Sequence, residues 1–253
     1  MINLYDQLKF IHSVYNTKNI ICLITFIPKE IWCDFLNSFK NYYIFIIVDD
    51  NNFNLFNFIN NYKNITFIQV EETKCKLNGF INTNFILNKL ISGWDKALYY
   101  FGMEYQYNNY KFIWFIEDDV FFYNENTIIQ IDEKYINYDL LSSNYEKNSD
   151  GNKNTWHWDK INISYDPPYY NGMMCAVRFS NNMLKCISYY AKKNKTLFFL
   201  EALFPTIAIK NNLKYNNPSE FIIHWRYYFT KKDINKTNLY HPVKDLDYHI
   251  YFR

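Results

Sequence analysis

The sequence predicts an α/β protein, Rossmann-like, with a mostly parallel central sheet flanked by helices. In the first half of the chain, buried apolar runs alternate with amphipathic segments, which is typical of βαβ units with right-handed crossovers. The segment 110–123 (YKFIWFIEDDVFFY) is apolar without alternation, which indicates a strand buried on both faces. The 253 residues are enough to bury a substantial core, and we expect them to form one domain.

The elements of the first half follow from the spacing of apolar residues. The run NIICLITFI is the first strand and ends at Pro28, and Ile31 and Phe35 lie on one face of the helix that follows. A longer helix, weakened at Gly93, precedes the fourth strand. We expect strands at 19–27, 42–48 and 65–70, and helices at 29–39, 53–62 and 84–105.

The second half predicts further helices and strands in less regular order. Ser180 is a natural N-cap for one of the helices. The segment 144–168, rich in Asn, Ser, Asp, Gly and Pro, predicts the longest irregular connection, and 231–253 is a polar tail. We expect helices at 127–136, 181–192 and 198–211, and strands at 139–143, 171–179 and 221–229.

Composition argues against several kinds of partner and location. With 27 basic and 25 acidic residues, the charge gives no case for a nucleic-acid partner. Five cysteines without CxxC spacing indicate neither a disulfide framework nor a zinc site. No signal peptide and no run of ~18 apolar residues is present, so we expect no membrane span and a cytoplasmic protein. The excess of Asn, Ile, Lys, Tyr and Phe is typical of an AT-rich genome such as that of a giant virus, whose viral factory or virion is then the expected location.

Acidic residues follow two of the predicted strands at the points where those strands end. Asp49 and Asp50 follow the second strand, and Glu117, Asp118 and Asp119 follow the fourth. Carboxylates beside a core strand cannot be buried unpaired, and the carboxyl ends of parallel strands meet at the edge where ligands bind. We therefore expect both groups to face one pocket. The alternative is that they cap the helices that follow.

A divalent cation is the ligand that suits such a pocket. Mg²⁺ and Mn²⁺ prefer oxygen ligands together with a phosphate, and Mn²⁺ also accepts an imidazole. Asp119 is the predicted carboxylate ligand, and His241 of the tail is the predicted imidazole ligand. A solvated side chain is the alternative for a tail histidine.

Three features together resemble the nucleotide-binding half of the GT-A glycosyltransferases. They are the triplet Glu-Asp-Asp at the end of the fourth strand, the acidic pair after an earlier strand, and the sequence 25–28 (TFIP) after the first. The resemblance covers about residues 19–122 and scattered motifs after them. It implies a GT-A fold with a nucleotide-binding half at 1–123 and an acceptor-binding half, with the tail, at 124–253. It further implies a Mn²⁺ or Mg²⁺ cofactor, a nucleotide-sugar donor such as a UDP-sugar, and a carbohydrate or glycosylated acceptor.

The resemblance assigns roles within the triplet. Asp119 matches the carboxylate that contacts the metal between the two phosphates of the donor. Asp118 lies toward the ribose, and Glu117 is structural.

The same resemblance assigns residues outside the triplet. Thr25 and Asp49 line the base and ribose pocket, with Asp50 next to them. His241 and Lys244 resemble the C-terminal His and Lys that complete the metal shell and hold the diphosphate. A metal and a lysine there stabilise the charge of the leaving group.

Glu201, in the sequence FFLEALFPTIA, resembles the general base at a helix start of some inverting GT-A enzymes, including branching N-acetylglucosaminyltransferases. That base deprotonates the acceptor hydroxyl, so the implied reaction is inverting transfer of a hexosyl or N-acetylhexosaminyl group. The alternative is a first-turn glutamate favoured by the helix dipole. Branching enzymes of this type lack the acidic triplet and hold the diphosphate with basic side chains, for which Arg226 and Lys244 are the candidates here.

Aromatic residues of the irregular connection are the predicted acceptor side, because sugar rings stack on aromatic faces. They are Trp156, His157 and Trp158, followed by the turn at 169–172 (YYNG), and core packing is the alternative for each. Asp95 and Lys96 are predicted to lie on a solvated face.

Two other classes remain open from the sequence. A nucleotidyltransferase shares the α/β sheet and the acidic metal ligands, but it normally has a Gly- and basic-rich loop after the first strand. The corresponding segment 26–32 here is FIPKEIW, without glycine. A non-catalytic sugar-binding protein on a transferase-like fold is the other alternative.

Overall fold

The computed structural model describes residues 18–105 and 110–253 of the chain. Residues 1–17, in which the sequence indicates no signal peptide, lie outside the described residues. The strands are β1 Asn19–Thr25, β2 Tyr42–Val48, β3 Ile65–Ile68, β4 Phe112–Glu117, β5 Phe121–Phe122, β6 Leu140–Asn148, β7 Tyr169–Ser180, β8 Tyr215–Asn216, β9 Phe221–Ile223 and β10 Leu239–His241. The α-helices are α1 Glu30–Asn37, α2 Phe56–Asn61, α3 Glu72–Asn78, α4 Gly93–Tyr99, α5 Glu125–Lys134, α6 Asn181–Asn194, α7 Leu200–Lys210 and α8 Leu246–Phe252.

The large sheet has the order β3-β2-β1-β4-β7-β6-β8. β3, β2, β1 and β4 are parallel, β8 is parallel to β6, and β7 is antiparallel to both of its neighbours. Helices flank this sheet, so the predicted α/β fold with a mostly parallel sheet is confirmed. β5, β10 and β9 form a second, three-stranded sheet. Within the described ranges, no helix is long and apolar enough to cross a membrane.

β4 is buried on both faces, as its sequence predicts. Ile113 and Phe115 pack into the apolar cluster on one side of the sheet, and Trp114 and Ile116 pack into the cluster on the other. This burial of four consecutive apolar side chains ends at Glu117, which is half-buried at the carboxyl edge of the sheet.

The predicted helix at 84–105 is wrong in its first half. A short 3₁₀ turn (Phe85–Leu87) is followed by irregular chain, and α4 begins only at Gly93. Ser92 and Asp95 form a capping box that fixes this start. A Cβ at Gly93 would lie 2.7 Å from Ile24 Cγ2, so glycine lets the helix start press against the end of β1.

The C-terminal quarter also differs from the prediction. The strand expected at 221–229 ends at Ile223, and residues 224–230 form a loop. The expected polar tail contains β10 and α8, and Phe252 of α8 packs against Phe121 and Tyr240. The strand expected at 139–143 continues to Asn148, which shortens the irregular connection.

Asp95 and Lys96 are fully buried, so the prediction of a solvated face is wrong. Asp95 accepts hydrogen bonds from the backbone N–H groups of Thr83 and Ser92. Lys96 Nζ lies 3.0 Å from Asp49 Oδ1 and also donates to the Asp49 carbonyl. Both side chains are buried because the start of α4 packs against the ends of β1 and β2. There, Asp95 binds the loop before α4 and Lys96 binds the loop after β2.

Replacing Lys96 by Met is expected to lower the free energy of unfolding by about 3–5 kcal/mol, because it leaves the Asp49 carboxylate without its buried partner. Lys89 is the matched control, since its Nζ lies 2.7 Å from the other Asp49 oxygen but half of its side chain is exposed. Lys89→Met is expected to cost less than about 1 kcal/mol. Urea unfolding of the two variants measures both values, and equal losses would contradict this account.

Candidate functional site

A cleft of about 440 Å³ opens at the carboxyl edge of β1, β2 and β4. Thr25, Asp49 and Asp118 line it, as do Trp94 of α4 and Lys89 of the segment before α4. Both acidic groups that follow strands therefore reach one cleft, because parallel neighbours bring their carboxyl ends to the same edge. The cleft combines carboxylates, a hydroxyl, a half-exposed lysine and aromatic surface, which suits a polar ligand with a planar part.

Asp118 is held in place within the cleft. The Thr25 hydroxyl donates a hydrogen bond of 2.6 Å to Asp118 Oδ2. The Trp32 indole N–H donates a bond of 2.8 Å to the Asp118 carbonyl. These two contacts join the turn after β4 to the end of β1 and to α1, so the orientation of Asp118 is set before any ligand binds.

An acidic centre, which we define as Glu117, Asp119, Glu201 and His241, lies beside the cleft. Asp119 Oδ2 is 3.4 Å from His241 Nε2. The Asp119 carbonyl accepts a 2.7 Å bond from the Val243 N–H, which joins the turn after β4 to the chain after β10. Glu201 is in the first turn of α7 and interacts electrostatically with Glu117 and His241. Three separate parts of the chain therefore supply one cluster.

The tautomer of His241 follows from its hydrogen bond. Its Nδ1 is 2.9 Å from the carbonyl oxygen of His224, and because a carbonyl only accepts, Nδ1 carries the proton. A neutral His241 then presents the lone pair of Nε2 to the Asp119 carboxylate, and two acceptors face each other. A proton or a cation between them resolves this repulsion. Burial lowers the pKa of His241, but the hydrogen bond and charge of Asp119, together with the charge of Glu117 and the His224 carbonyl, raise it above its usual value.

Two glutamates of the acidic centre hold protons more tightly than usual. Burial, followed by the charge of Asp119, raises the pKa of Glu117 to about 7, although the Trp94 N–H donates a 2.7 Å bond to Glu117 Oε1. Burial, followed by the charge of Glu117, raises the pKa of Glu201 to about 7. At neutral pH each side chain therefore exchanges readily between its acid and its base form.

The residues of the centre fit a divalent cation. Asp119 Oδ1 is buried and has no hydrogen-bond partner among the described residues. Carboxylate oxygens and an imidazole nitrogen are ligands that Mn²⁺ accepts. Asp119 and His241 would hold such a cation, and a ligand atom of Glu117 lies within 4.8 Å of one of His241.

Three predicted site residues lie away from the cleft and the centre. The Asp50 carboxylate accepts a 2.9 Å bond from the Asn52 N–H and so stabilises a turn. Arg226 and Lys244 are exposed, and both line a second groove of about 520 Å³ together with Trp225 and Tyr248. The carboxyl edge thus gathers Thr25, Asp49, Asp118, Asp119, Glu201 and His241.

The structure places residues at the site that the sequence did not single out. Trp94 binds Glu117, Lys89 binds Asp49, and Cys175 of β7 lies next to Glu117. Phe26 lines the cleft with 61% of its surface exposed. No local motif marks Trp94, Lys89 and Cys175, because each reaches the site through a contact between distant segments, whereas Phe26 belongs to the segment TFIP at the end of β1.

The turn predicted at 169–172 is wrong, because these residues form the start of β7, where they pair with β6. The other aromatic residues predicted for the acceptor side divide into two groups. Trp158 is buried, which is the core-packing alternative. Trp156 is 36% exposed and packs on Phe199, two residues before Glu201. His157 also contacts the Phe199 ring. Trp156 and His157 therefore pack at the start of α7, the helix that carries Glu201.

His249 of α8 contacts Val243, which in turn binds the Asp119 carbonyl, and the burial of His249 makes the stability of the fold depend on pH. Its Nε2 is 2.8 Å from the Val243 carbonyl, and its ring packs on those of Trp32 and Phe121. Burial, with help from the positive Arg253, lowers the pKa of His249 from 6.5 to about 4. As pH falls through 6.5 the unfolded chain gains a proton on this side chain, whereas the folded chain gains it only near 4, so acid favours unfolding.

From pH 7.5 to pH 5, His249 alone is expected to reduce the free energy of unfolding by about 2 kcal/mol. Glu117 and Glu201 act in the opposite direction, because their raised pKa values give stability that is lost as pH rises toward 7. The comparison must therefore be between variants. His249→Gln is expected to lose about 2 kcal/mol less than the wild type over this pH range in urea unfolding. Parallel pH curves for the two proteins would show that His249 does not titrate in this way.

Fold and site together define an α/β protein with an acidic centre beside a cleft at the carboxyl edge of its sheet. No protein-family model matches the chain, and no curated protein matches it significantly. Among solved structures it is similar to the 4-diphosphocytidyl-2C-methyl-D-erythritol synthase of Anaerococcus prevotii DSM 20548, with 11% identity and a TM-score of 0.45. The similarity covers 80% of this chain and 89% of that one. At these values it carries no argument about function.

Proposed function

We propose that the protein is a glycosyltransferase of the GT-A type, which transfers a sugar from a nucleotide-sugar to a hydroxyl acceptor with the help of Mn²⁺ or Mg²⁺. The observation that carries the proposal is the convergence of Asp119, Glu201 and His241 beside a cleft lined by Thr25, Asp49 and Asp118. Sugar transfer needs charged groups for the donor phosphates and a base for the acceptor hydroxyl, and these groups must lie close together. Asp119 and His241 are the candidates for the first task, and Glu201 is the candidate for the second.

The cleft supplies contacts for the nucleoside of a donor such as a UDP-sugar. Phe26 offers an exposed aromatic face for the base, which stacks well on such surfaces. Asp49 and Asp118 offer carboxylate oxygens that accept hydrogen bonds from ribose hydroxyls. In this proposal residues 1–123 are the donor half, and residues 124–253 are the acceptor half, which contributes Glu201 and His241 to the reaction.

The diphosphate lies next to Asp119 and His241 in this proposal. A cation held there would neutralise the negative charge that develops on the leaving nucleoside diphosphate. Asp119 and His241 keep fixed positions for this purpose, because Val243 and His224 hold them through backbone contacts. A ligand atom of Glu117 lies within 4.8 Å of one of His241, so Glu117 is a candidate third ligand.

Glu201 is the general base of the proposal. It removes the proton of the acceptor hydroxyl while the acceptor oxygen bonds to the anomeric carbon and the bond from that carbon to the phosphate oxygen breaks. Attack from the face opposite the leaving group inverts the anomeric centre. The pKa of about 7 for Glu201 matches the task, because a base is most effective when its pKa is near the working pH.

Nucleotidyl transfer is the second candidate. Lys89 favours it, because its half-exposed ammonium group in the cleft could bind the outer phosphates of a nucleoside triphosphate. In that reaction the nucleotide itself is transferred and pyrophosphate leaves. The donor site would be the same, and only the bond that breaks would differ.

Product analysis separates the two candidates. The full chain with Mn²⁺ is incubated with a panel of nucleotide-sugars and free sugars as hydroxyl acceptors, and separately with nucleoside triphosphates and sugar phosphates. Release of a nucleoside diphosphate from one nucleotide-sugar supports glycosyl transfer, and release of pyrophosphate supports nucleotidyl transfer. If neither product forms and no nucleotide raises the melting temperature, the proposed function is wrong.

A further inference from the structure

Cys175 lies against the acidic centre, and the proposed reaction does not use it. β4 and β7 pair Ile116 with Ala176, so Glu117 and Cys175 follow at adjacent positions of two antiparallel strands. One ligand atom each of Glu117, Cys175 and His241 lies within 4.8 Å of the others. A carboxylate, a thiol and an imidazole are therefore in reach of a single ion.

The three donors are oriented by their surroundings. His241 directs the lone pair of Nε2 inward, because Nδ1 donates to the His224 carbonyl. Trp94 fixes one carboxylate oxygen of Glu117 through its indole N–H. The Cys175 thiol is buried and hydrogen-bonded to Glu117. Such orientation of ligands by outer partners is typical of metal sites in proteins.

Charge at this point also favours a cation. Asp119 and Glu201 add two more acidic groups, and Asp119 Oδ1 is buried without a hydrogen-bond partner among the described residues. The cleft reaches Glu117 and Asp119, so an ion has a path from solvent.

We propose that Glu117, Cys175 and His241 bind a thiophilic divalent cation, Zn²⁺ or Co²⁺, with Cys175 as a thiolate ligand. Thiolate and imidazole ligands select zinc-type ions, whereas Mg²⁺ prefers oxygen ligands alone. Binding releases the thiol proton of Cys175 to solvent, so affinity increases with pH. The site itself does not depend on the proposed reaction. If that reaction holds, zinc competes with Mn²⁺ for His241 and inhibits transfer.

Optical titration with Co²⁺ tests the site in the full chain. A thiolate bound to Co²⁺ gives a charge-transfer band in the near ultraviolet, which oxygen and nitrogen ligands do not give. We expect this band to saturate at one Co²⁺ per chain and to disappear when Zn²⁺ is added. The band should be absent from Cys175→Ser. It should be retained in Cys186→Ser, which is the control because Cys186 is a half-buried cysteine outside the proposed site.

Glu117→Gln provides a second variant if Cys175→Ser fails to fold. It is expected to weaken Co²⁺ binding at least about tenfold while the band persists at saturation. A wild-type chain that shows no thiolate band, or a band that survives in folded Cys175→Ser, would overturn the site. Binding of UDP with Mn²⁺ is measured separately, so a thiolate band without nucleotide binding rejects only the proposed function.

Discussion

Replacing Asp119 by Asn is expected to reduce sugar transfer by about 10²–10³-fold. The change keeps the shape of the side chain and the bond from Val243 to the Asp119 carbonyl, but it removes the charge that faces His241. A neutral amide is a poor ligand for a hard cation, so the donor diphosphate loses its partner. Initial rates at saturating Mn²⁺, with the nucleoside diphosphate as measured product, give the size of the effect.

Asp50→Asn is the matched control for Asp119→Asn. It removes the same charge from the other acidic group, but the Asp50 carboxylate serves a turn and accepts from the Asn52 N–H. We expect its transfer rate to stay within about threefold of the wild type, because one exposed turn contact contributes little. If the two variants lost activity equally, Asp119 would have no special role.

Replacing Glu201 by Gln is expected to reduce transfer by about 10²–10⁴-fold while leaving the affinity for the donor unchanged. Glutamine has the size of glutamate but cannot take a proton from the acceptor hydroxyl. Neutralising Glu201 also removes a negative charge that acts on Cys175 and Glu117, so the fold is not expected to suffer. Steady-state rates and a calorimetric titration with the nucleoside diphosphate measure the two properties separately.

Glu30→Gln controls for the position of Glu201 at a helix start. Glu30 is an exposed glutamate in the first turn of α1 and lies outside the candidate site. Its replacement therefore tests the loss of a charge near a helix dipole without removing a general base. No change in rate is expected. Loss of donor binding in Glu201→Gln would instead assign Glu201 a structural role and would contradict its assignment as the base.

The fold could be predicted because its signals are local. An apolar run without alternation marks β4, and the same reasoning places β1, β2 and most helices near their observed positions. The helix start at Gly93 was missed because it depends on contact with Ile24, a residue 69 positions earlier. The strand end at Ile223 was missed because its partner β10 lies in a segment that looks polar in sequence.

The site could be predicted only at residues whose type and local sequence suggest a catalytic or metal-binding role. Asp119, Glu201 and His241 are unusual enough in their local sequences to be singled out, and they do meet in space. Lys96 lies one helical step from Trp94, which favours a solvated face, and its burial follows only from its contact with Asp49. Cys175 was overlooked because no second cysteine stands near it, whereas its partners come from other strands.

Calorimetric titration of the wild-type chain with UDP, with Mn²⁺ and then with EDTA in its place, tests the central claim most directly. The claim is that the acidic centre holds a cation beside a nucleotide cleft. We predict saturable binding of one UDP per chain with Mn²⁺ and no measurable binding in EDTA. Equal binding under both conditions, or no binding under either, would contradict it.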